Sequence, residues 1–115
     1  MNDFSLMHTK ESGGRESPGA KRLRLLRKAE GGDNSSTWAK RMGMTLPQLS
    51  NYENGVPLSK TAAITMAKRV PGLTTDWLFL GREEGLSVDL RRRLHSAEEE
   101  MRQADADKTR EASGK

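Results

Sequence analysis

Two amide side chains three residues apart, Gln48 and Asn51, are the groups in this sequence best suited to recognition chemistry. In the stretch "GMTLPQLSNYENG", residues 43–55, they fall on one face of a short helix, while Leu49 and Tyr52 fall on another. Each amide offers a donor and an acceptor, which suits hydrogen-bond reading of a polar edge rather than bond making. A helix built only for packing would show a wider apolar stripe with charges opposite it. The pattern implies that the Gln48–Asn51 face reads something polar and uncharged.

Catalytic and metal-binding patterns are weak by comparison. The chain has no cysteine, so it has neither a disulfide framework nor a Cys-ligated zinc site. It has no phosphate-binding glycine motif and no histidine pair at metal-ligand spacing. His8 falls in the N-terminal arm, and His95 with Glu98 reads as a surface pair on a solvated helix. The serines have no evident base beside them, and "EEE" at 98–100 reads as a solvated face. The sequence therefore predicts no enzyme, no cofactor and no metal.

The elements that must position Gln48 and Asn51 are all helical. Residues 1–18, rich in Ser, Gly and charge and ending in "SPG", predict a flexible arm. "AKRLRLLRKAE" at 20–30 predicts a first helix with Leu23 and Leu26 inward, stopped by "GGDN". Ser35 or Ser36 is expected to cap a second helix that buries Trp38, Ala39 and Met42, with Gly43 ending it in a left-handed turn. The helix carrying the two amides follows at once, with Pro47 tolerated in its first turn and Leu46 as a candidate first residue. A fourth helix is expected from about Ser59 to Val70, with Ala63, Ile64, Ala67 and Val70 inward. A short fifth, "DWLFL", is expected to be capped by Thr75 and closed by Gly81. Beyond Gly85, Leu90, Leu94, Ala97, Met101 and Ala104 make a short a/d-like seam. It predicts a frayed helix padding the domain or a partner subunit, with a disordered end from Asp105. Strand-like alternation is absent. The reading is an all-α fold of five short helices: an arm over 1–18, a helical domain over 19–81 and a charged tail over 82–115.

Composition limits the partners. Of the 115 residues 33% are apolar and 31% charged, enough for one compact core. No run approaches a membrane span, and the N-terminus lacks the basic start and apolar run of a signal peptide. The expected location is the cytoplasm. The net charge of +4 is unevenly spread. Residues 15–75 hold eleven Lys/Arg against four Asp/Glu, and residues 82–115 hold eight against nine. The positive surplus thus accompanies the amide-bearing helix and favours an anionic partner, most simply nucleic acid.

The second and third helices with their glycine turn form a helix-turn-helix pattern. "TWAKRMGMTLPQLSNYENG" together with "TTDWLFLG" resembles the Cro/repressor-type helix-turn-helix family of bacterial and phage transcription regulators. The matching positions are Trp38, Ala39, Gly43, Leu49, Tyr52, Glu53 and Gly55, then Asp76, Trp77, Leu78 and Gly81. The resemblance spans about residues 20–81 and leaves both tails uncovered. It implies a five-helix repressor-like domain whose third helix enters the DNA major groove, with Leu46, Pro47, Gln48 and Asn51 at the positions nearest the bases. Gln48 and Asn51 suit an adenine edge and Leu46 a thymine methyl, whereas Pro47 departs from the usual polar residue and cannot hydrogen-bond. Ser35 and Ser36 at the second helix start, with Asn54 and Lys60, are the expected phosphate contacts. Arg27 and Glu53 match a family pair linking helices one and three.

These implications amount to a sequence-specific double-stranded DNA-binding regulator. It would be a repressor acting as a nucleoid-associated homodimer on a two-fold site. The alternative is an antitoxin or interaction module that uses the same fold to neutralise a partner protein such as a toxin.

Overall fold

Six helices and no strand make up the described residues, 14–113, of the computed structural model. We label them α1 (Pro18–Ala29), α2 (Ser35–Arg41), α3 (Leu46–Glu53), α4 (Lys60–Arg69), α5 (Thr75–Leu80) and α6 (Val88–Ser113). The expected all-α class is thus observed. Residues 1–13, most of the expected flexible arm and the site of His8, lie outside the described residues.

Capping accounts for most of the helix starts. Ser17 caps α1, its hydroxyl accepting from the Ala20 N–H at 3.3 Å, with Pro18 in the first turn where no intrahelical acceptor exists. The helix thus begins inside the "SPG" assigned to the arm. Asn34, not Ser35 or Ser36, caps α2, accepting from the Thr37 N–H at 3.0 Å. An Asn side chain closes this ring as well as a serine would, and it comes one residue earlier. Thr74 rather than Thr75 caps α5, accepting from the Trp77 N–H at 3.1 Å. Gly43 and Gly81 end α2 and α5 with φ of +76° and +77°, in the left-handed region that their sequence positions predicted.

One core runs through all six helices. Leu23 and Leu26 of α1 meet Trp38, Ala39 and Met42 of α2, Leu49 of α3, and Ala63, Met66 and Val70 at α4. Trp77 and Leu78 of α5 close one end of it, and each large side chain so buried contributes about 1.5–3 kcal/mol. On α4 the inward residue is Met66, and Ile64 is 41% exposed. Positions 63, 66 and 70 share one face at spacings of three and four, while 64 is rotated off it.

The charged C-terminal segment behaves differently from a tail. Leu86, Leu90 and Leu94 belong to the same core, and Ala97 is buried beside them. α6 runs antiparallel to α1, as the ion pairs Arg93–Glu30 (2.6 Å) and Lys28–Glu100 (3.3 Å) fix its direction. Packing therefore does not stop at Gly81, where the sequence placed a boundary. The helix also continues through Ser113 instead of ending near Asp105. Ala104, Ala106 and Ala112 favour the helix in its last turns, and Arg102 pairs with Glu99 one turn away at 2.6 Å.

Glu30 ties three elements together. Its side chain, 7% exposed, accepts from Arg41 at the end of α2 (3.1 Å) and from Arg93 of α6 (2.6 Å). The hydrogen bond that Arg93 donates to Glu30, helped by the one it donates to Asp89 at 3.0 Å, raises the pKa of Arg93. Arg69 of α4 donates to the Arg41 carbonyl at 2.9 Å, and Arg22 of α1 donates to the Leu78 and Phe79 carbonyls at 3.2 and 2.9 Å. These arginines satisfy carbonyls at helix C-termini, where positive charge is favoured. Burial at that end of α5 lowers the pKa of Arg22.

Candidate nucleic-acid interface

The start of α3 is fixed by a reciprocal pair of hydrogen bonds. The Thr45 hydroxyl accepts from the Gln48 N–H at 3.2 Å, and Gln48 Oε1 accepts from the Thr45 N–H at 2.9 Å. This capping box satisfies two amides left over at the helix start. Leu46 is the first helical residue and Pro47 the second, so the proline removes an N–H that had no partner to lose.

Inward, α3 buries Leu49 and Glu53 and half-buries Tyr52. Outward, it exposes Leu46 (43%), Pro47, Gln48, Ser50, Asn51 and Asn54. Of the residues expected to read bases, Leu46, Gln48 and Asn51 thus share the exposed side, but their freedom differs. The Asn51 amide makes no side-chain hydrogen bond among the described residues, so its donor and acceptor are both available. The Gln48 carbonyl is occupied by the capping box, which leaves its NH₂ group for an outside contact.

Two of the expected phosphate contacts, Ser35 and Asn54, line one small cleft with Leu46 and Ser50. Ser35 and Ser36 occupy the first turn of α2. Asn54 caps the C-terminus of α3. Its Nδ2 donates to the Ser50 carbonyl at 2.8 Å, and its Oδ1 accepts from Arg15 at 3.4 Å. Lys60 opens α4, exposed and in no ion pair among the described residues.

Arg27 and Glu53 meet as the resemblance implies. Arg27 Nε donates to Oε2 at 2.7 Å and Nη2 to Oε1 at 3.1 Å, while Nη1 donates to the Gly32 carbonyl at 2.9 Å. Their side chains are 23% and 10% exposed, so the fork joining α1 to α3 is largely withdrawn from water. Gly32 sits so close that a Cβ there would collide with the Trp38 ring and the Arg27 stem.

Sequence reasoning missed two arginines here. Arg24 donates from Nη1 to the Glu53 backbone carbonyl at 2.7 Å, and Arg15 reaches Asn54. The spacing of Arg24 and Arg27, one helical turn, was the available signal that both point toward Glu53. Burial, followed by the neighbouring charge of Arg15, lowers the pKa of Arg24, with Glu16 and Glu53 acting against that shift.

Beyond α3 lies an apolar groove of about 430 Å³, lined among others by Leu23, Tyr52, Val56, Pro57, Leu58 and Phe79. Val56, Phe79 and Leu80 are exposed at 51%, 42% and 61%. Among the described residues no helix is long and apolar enough to cross a membrane, and no His/Cys/Asp/Glu cluster could hold a metal ion. Comparison with family models, with curated proteins and with solved structures finds no match to this chain.

Proposed function

We propose that this chain is a sequence-specific double-stranded DNA-binding regulator with a repressor-like helix-turn-helix. In this reading α2 and α3 form the helix-turn-helix, and α3 lies in the major groove. The observation that carries the reading is the outer face of α3. It presents an apolar Leu46 and a fully available Asn51 amide on a helix anchored at both ends, by the capping box and by the Arg27–Glu53 fork. Such a face can pair with an adenine edge and pack on a thymine methyl. The basic surplus of residues 15–75 would supply the sequence-independent attraction.

The protein acts as a homodimer on a two-fold site, a repressor in the cytoplasm associated with the nucleoid. The apolar patch of Val56, Pro57, Leu58 and Phe79 along the groove lies just past the end of α3 and offers a seat for the second copy. A single module of this size buries too little DNA surface for useful specificity. Selection of sites from a random duplex pool with purified protein tests the reading. It should return a two-fold-related sequence, and recovery of no preferred sequence would remove the proposal.

The same patch favours a second reading, in which the fold neutralises a protein partner such as a toxin. A stable one-to-one complex with a second gene product, without any selected DNA site, would bring this reading forward.

A further inference from the structure

A cleft of about 310 Å³ opens where α1, the loop after it and α6 meet. Arg15, Arg24, Arg27 and Lys28 line it, Met101 adds an apolar wall, and Asp33 is the one carboxylate among its lining residues. Two of the four cations are already matched, Arg27 by Glu53 at 2.7 Å and Lys28 by Glu100 at 3.3 Å. Arg24 and Arg15 are not. Their partners are neutral, the Glu53 backbone carbonyl and the Asn54 amide oxygen. Glu16, the carboxylate next to Arg15 in sequence, is held by Lys21 at 3.3 Å.

Both guanidiniums are placed by the fold. The backbone of Gly14 lies against Gly55, where any Cβ would overlap it, and the Ser17 N–H donates to the Gly14 carbonyl at 3.2 Å. This turn pins the base of Arg15 to the residue that follows α3 and its cap. Arg15 also lines the small cleft shared by Leu46, Ser50 and Asn54, so it bridges the outer face of α3 and the basic cleft. Two like charges held close together repel, and an anion between them would relieve that repulsion. Guanidinium forks match the oxygens of a phosphate group and keep their charge at neutral pH.

We propose that Arg15 and Arg24 form a two-guanidinium phosphate clamp beside the C-terminal end of α3, which takes a phosphodiester of the DNA that α3 reads. The clamp rests on the DNA-binding reading for its ligand's source. The chemistry it shares with any free phosphate-bearing ligand is the phosphate itself.

The test uses the full chain with Arg15→Gln, Arg24→Gln, the double variant, and Arg82→Gln, in the loop before α6, as a charge-matched control. Binding to selected and random duplexes is titrated between 50 and 200 mM KCl, and melting is followed with inorganic phosphate against chloride at equal ionic strength. Each Gln substitution at the clamp should flatten the log–log salt slope by about one unit per half-site, about three- to fourfold less affinity lost over that range. The control should keep the slope. Phosphate should raise the melting temperature of the parent chain but not of the double variant. Slopes equal to the parent's in both clamp variants overturn the clamp and leave the DNA reading standing. If the parent binds no duplex, yet phosphate stabilises it only when both arginines are present, the clamp stands as a site for a free phosphate ligand and the DNA reading falls. Should Arg24→Gln fail to fold, exposed Arg15→Gln and charge-retaining Arg24→Lys carry the test. The first should flatten the slope, the second should keep it, and the reverse result refutes the clamp.

Discussion

Arg27 holds the Glu53 carboxylate through two hydrogen bonds, 2.7 and 3.1 Å long, across the gap between α1 and α3. The Glu53 backbone carbonyl is held by Arg24 as well, at 2.7 Å. The C-terminal end of α3 is therefore attached to α1 by both its side chain and its main chain. In the proposed reading this attachment would hold the outer face of α3 at a set angle, since base reading tolerates little misplacement.

Replacing Glu53 with Gln should cost about 2 kcal/mol, between the small value of an exposed pair and the larger one of a fully buried pair. Gln keeps the shape and one acceptor but leaves the Arg27 charge largely withdrawn from water without its counter-charge. Urea unfolding measures the change. DNA affinity should fall by more than the unfolded fraction explains, since α3 loses an anchor. A loss under about 0.5 kcal/mol would show that the fork contributes no more than a surface pair.

Residues near one another in sequence were legible from their spacing, and of those brought together from afar the Arg27–Glu53 pair was expected only through the family resemblance. Gly43 and Gly81 announce their left-handed turns because few other residues take that conformation at low cost. The Leu90, Leu94, Ala97 seam correctly predicts the buried side of α6, but spacing cannot say what covers a seam. Here α1 of the same chain covers it. The seam fades at Met101 and Ala104, half-buried and exposed, where α6 nears the start of α1. Gln48 illustrates another limit. Thr45 and Gln48 have the spacing of a capping box, yet the same amide also suits a base edge, and sequence does not rank the two uses. Arg22 was missed because it donates to backbone carbonyls far along the chain, and carbonyls leave no trace in side-chain patterns.

Two truncations test whether α6 is part of the domain. Ending the chain at Ala104 removes residues of which 105–108 are exposed, so the melting temperature should move by only a few degrees. Ending it at Leu86 also removes Leu90, Leu94 and Ala97, exposed by 0%, 2% and 4%. Each buried leucine lost costs about 2–5 kcal/mol, which together approaches the whole stability of a small domain. The second variant should therefore lack a cooperative thermal transition. If it melts like the parent, α6 is an appendage.

The Glu30 junction can be tested separately from the core. Glu30→Gln keeps the side-chain volume but removes the negative charge between Arg41 and Arg93. A stability loss of about 1–2 kcal/mol is expected, since the carboxylate is buried but both arginines reach solvent. The loss should be smaller when Arg93 is already Gln, because only the Arg41 pair is then left for Glu30→Gln to remove. Full additivity in that double-mutant cycle would show that the Arg93–Glu30 distance carries no coupling.

Gln48 and Asn51 differ in what they already bond, and so should their alanine variants. Gln48→Ala breaks the capping box and should destabilise the fold by about 0.5–1 kcal/mol, before any DNA is present. Asn51→Ala removes no internal hydrogen bond and should leave unfolding unchanged within about 0.5 kcal/mol. On the selected duplex the order should reverse. Asn51→Ala should lose about 1–3 kcal/mol and most discrimination against random DNA, because both halves of its amide are free to pair with a base. Gln48→Ala should lose less, since its carbonyl is spent on Thr45. Lys60→Ala has only a point charge to lose, so specific and random binding should weaken alike, with about one unit less salt slope per half-site. Competition titrations at several salt concentrations, run beside unfolding curves, separate the three signatures. If Asn51→Ala binds every duplex as the parent does, α3 is not the reading helix, and the apolar groove with exposed Val56 and Phe79 becomes the first place to look for the partner.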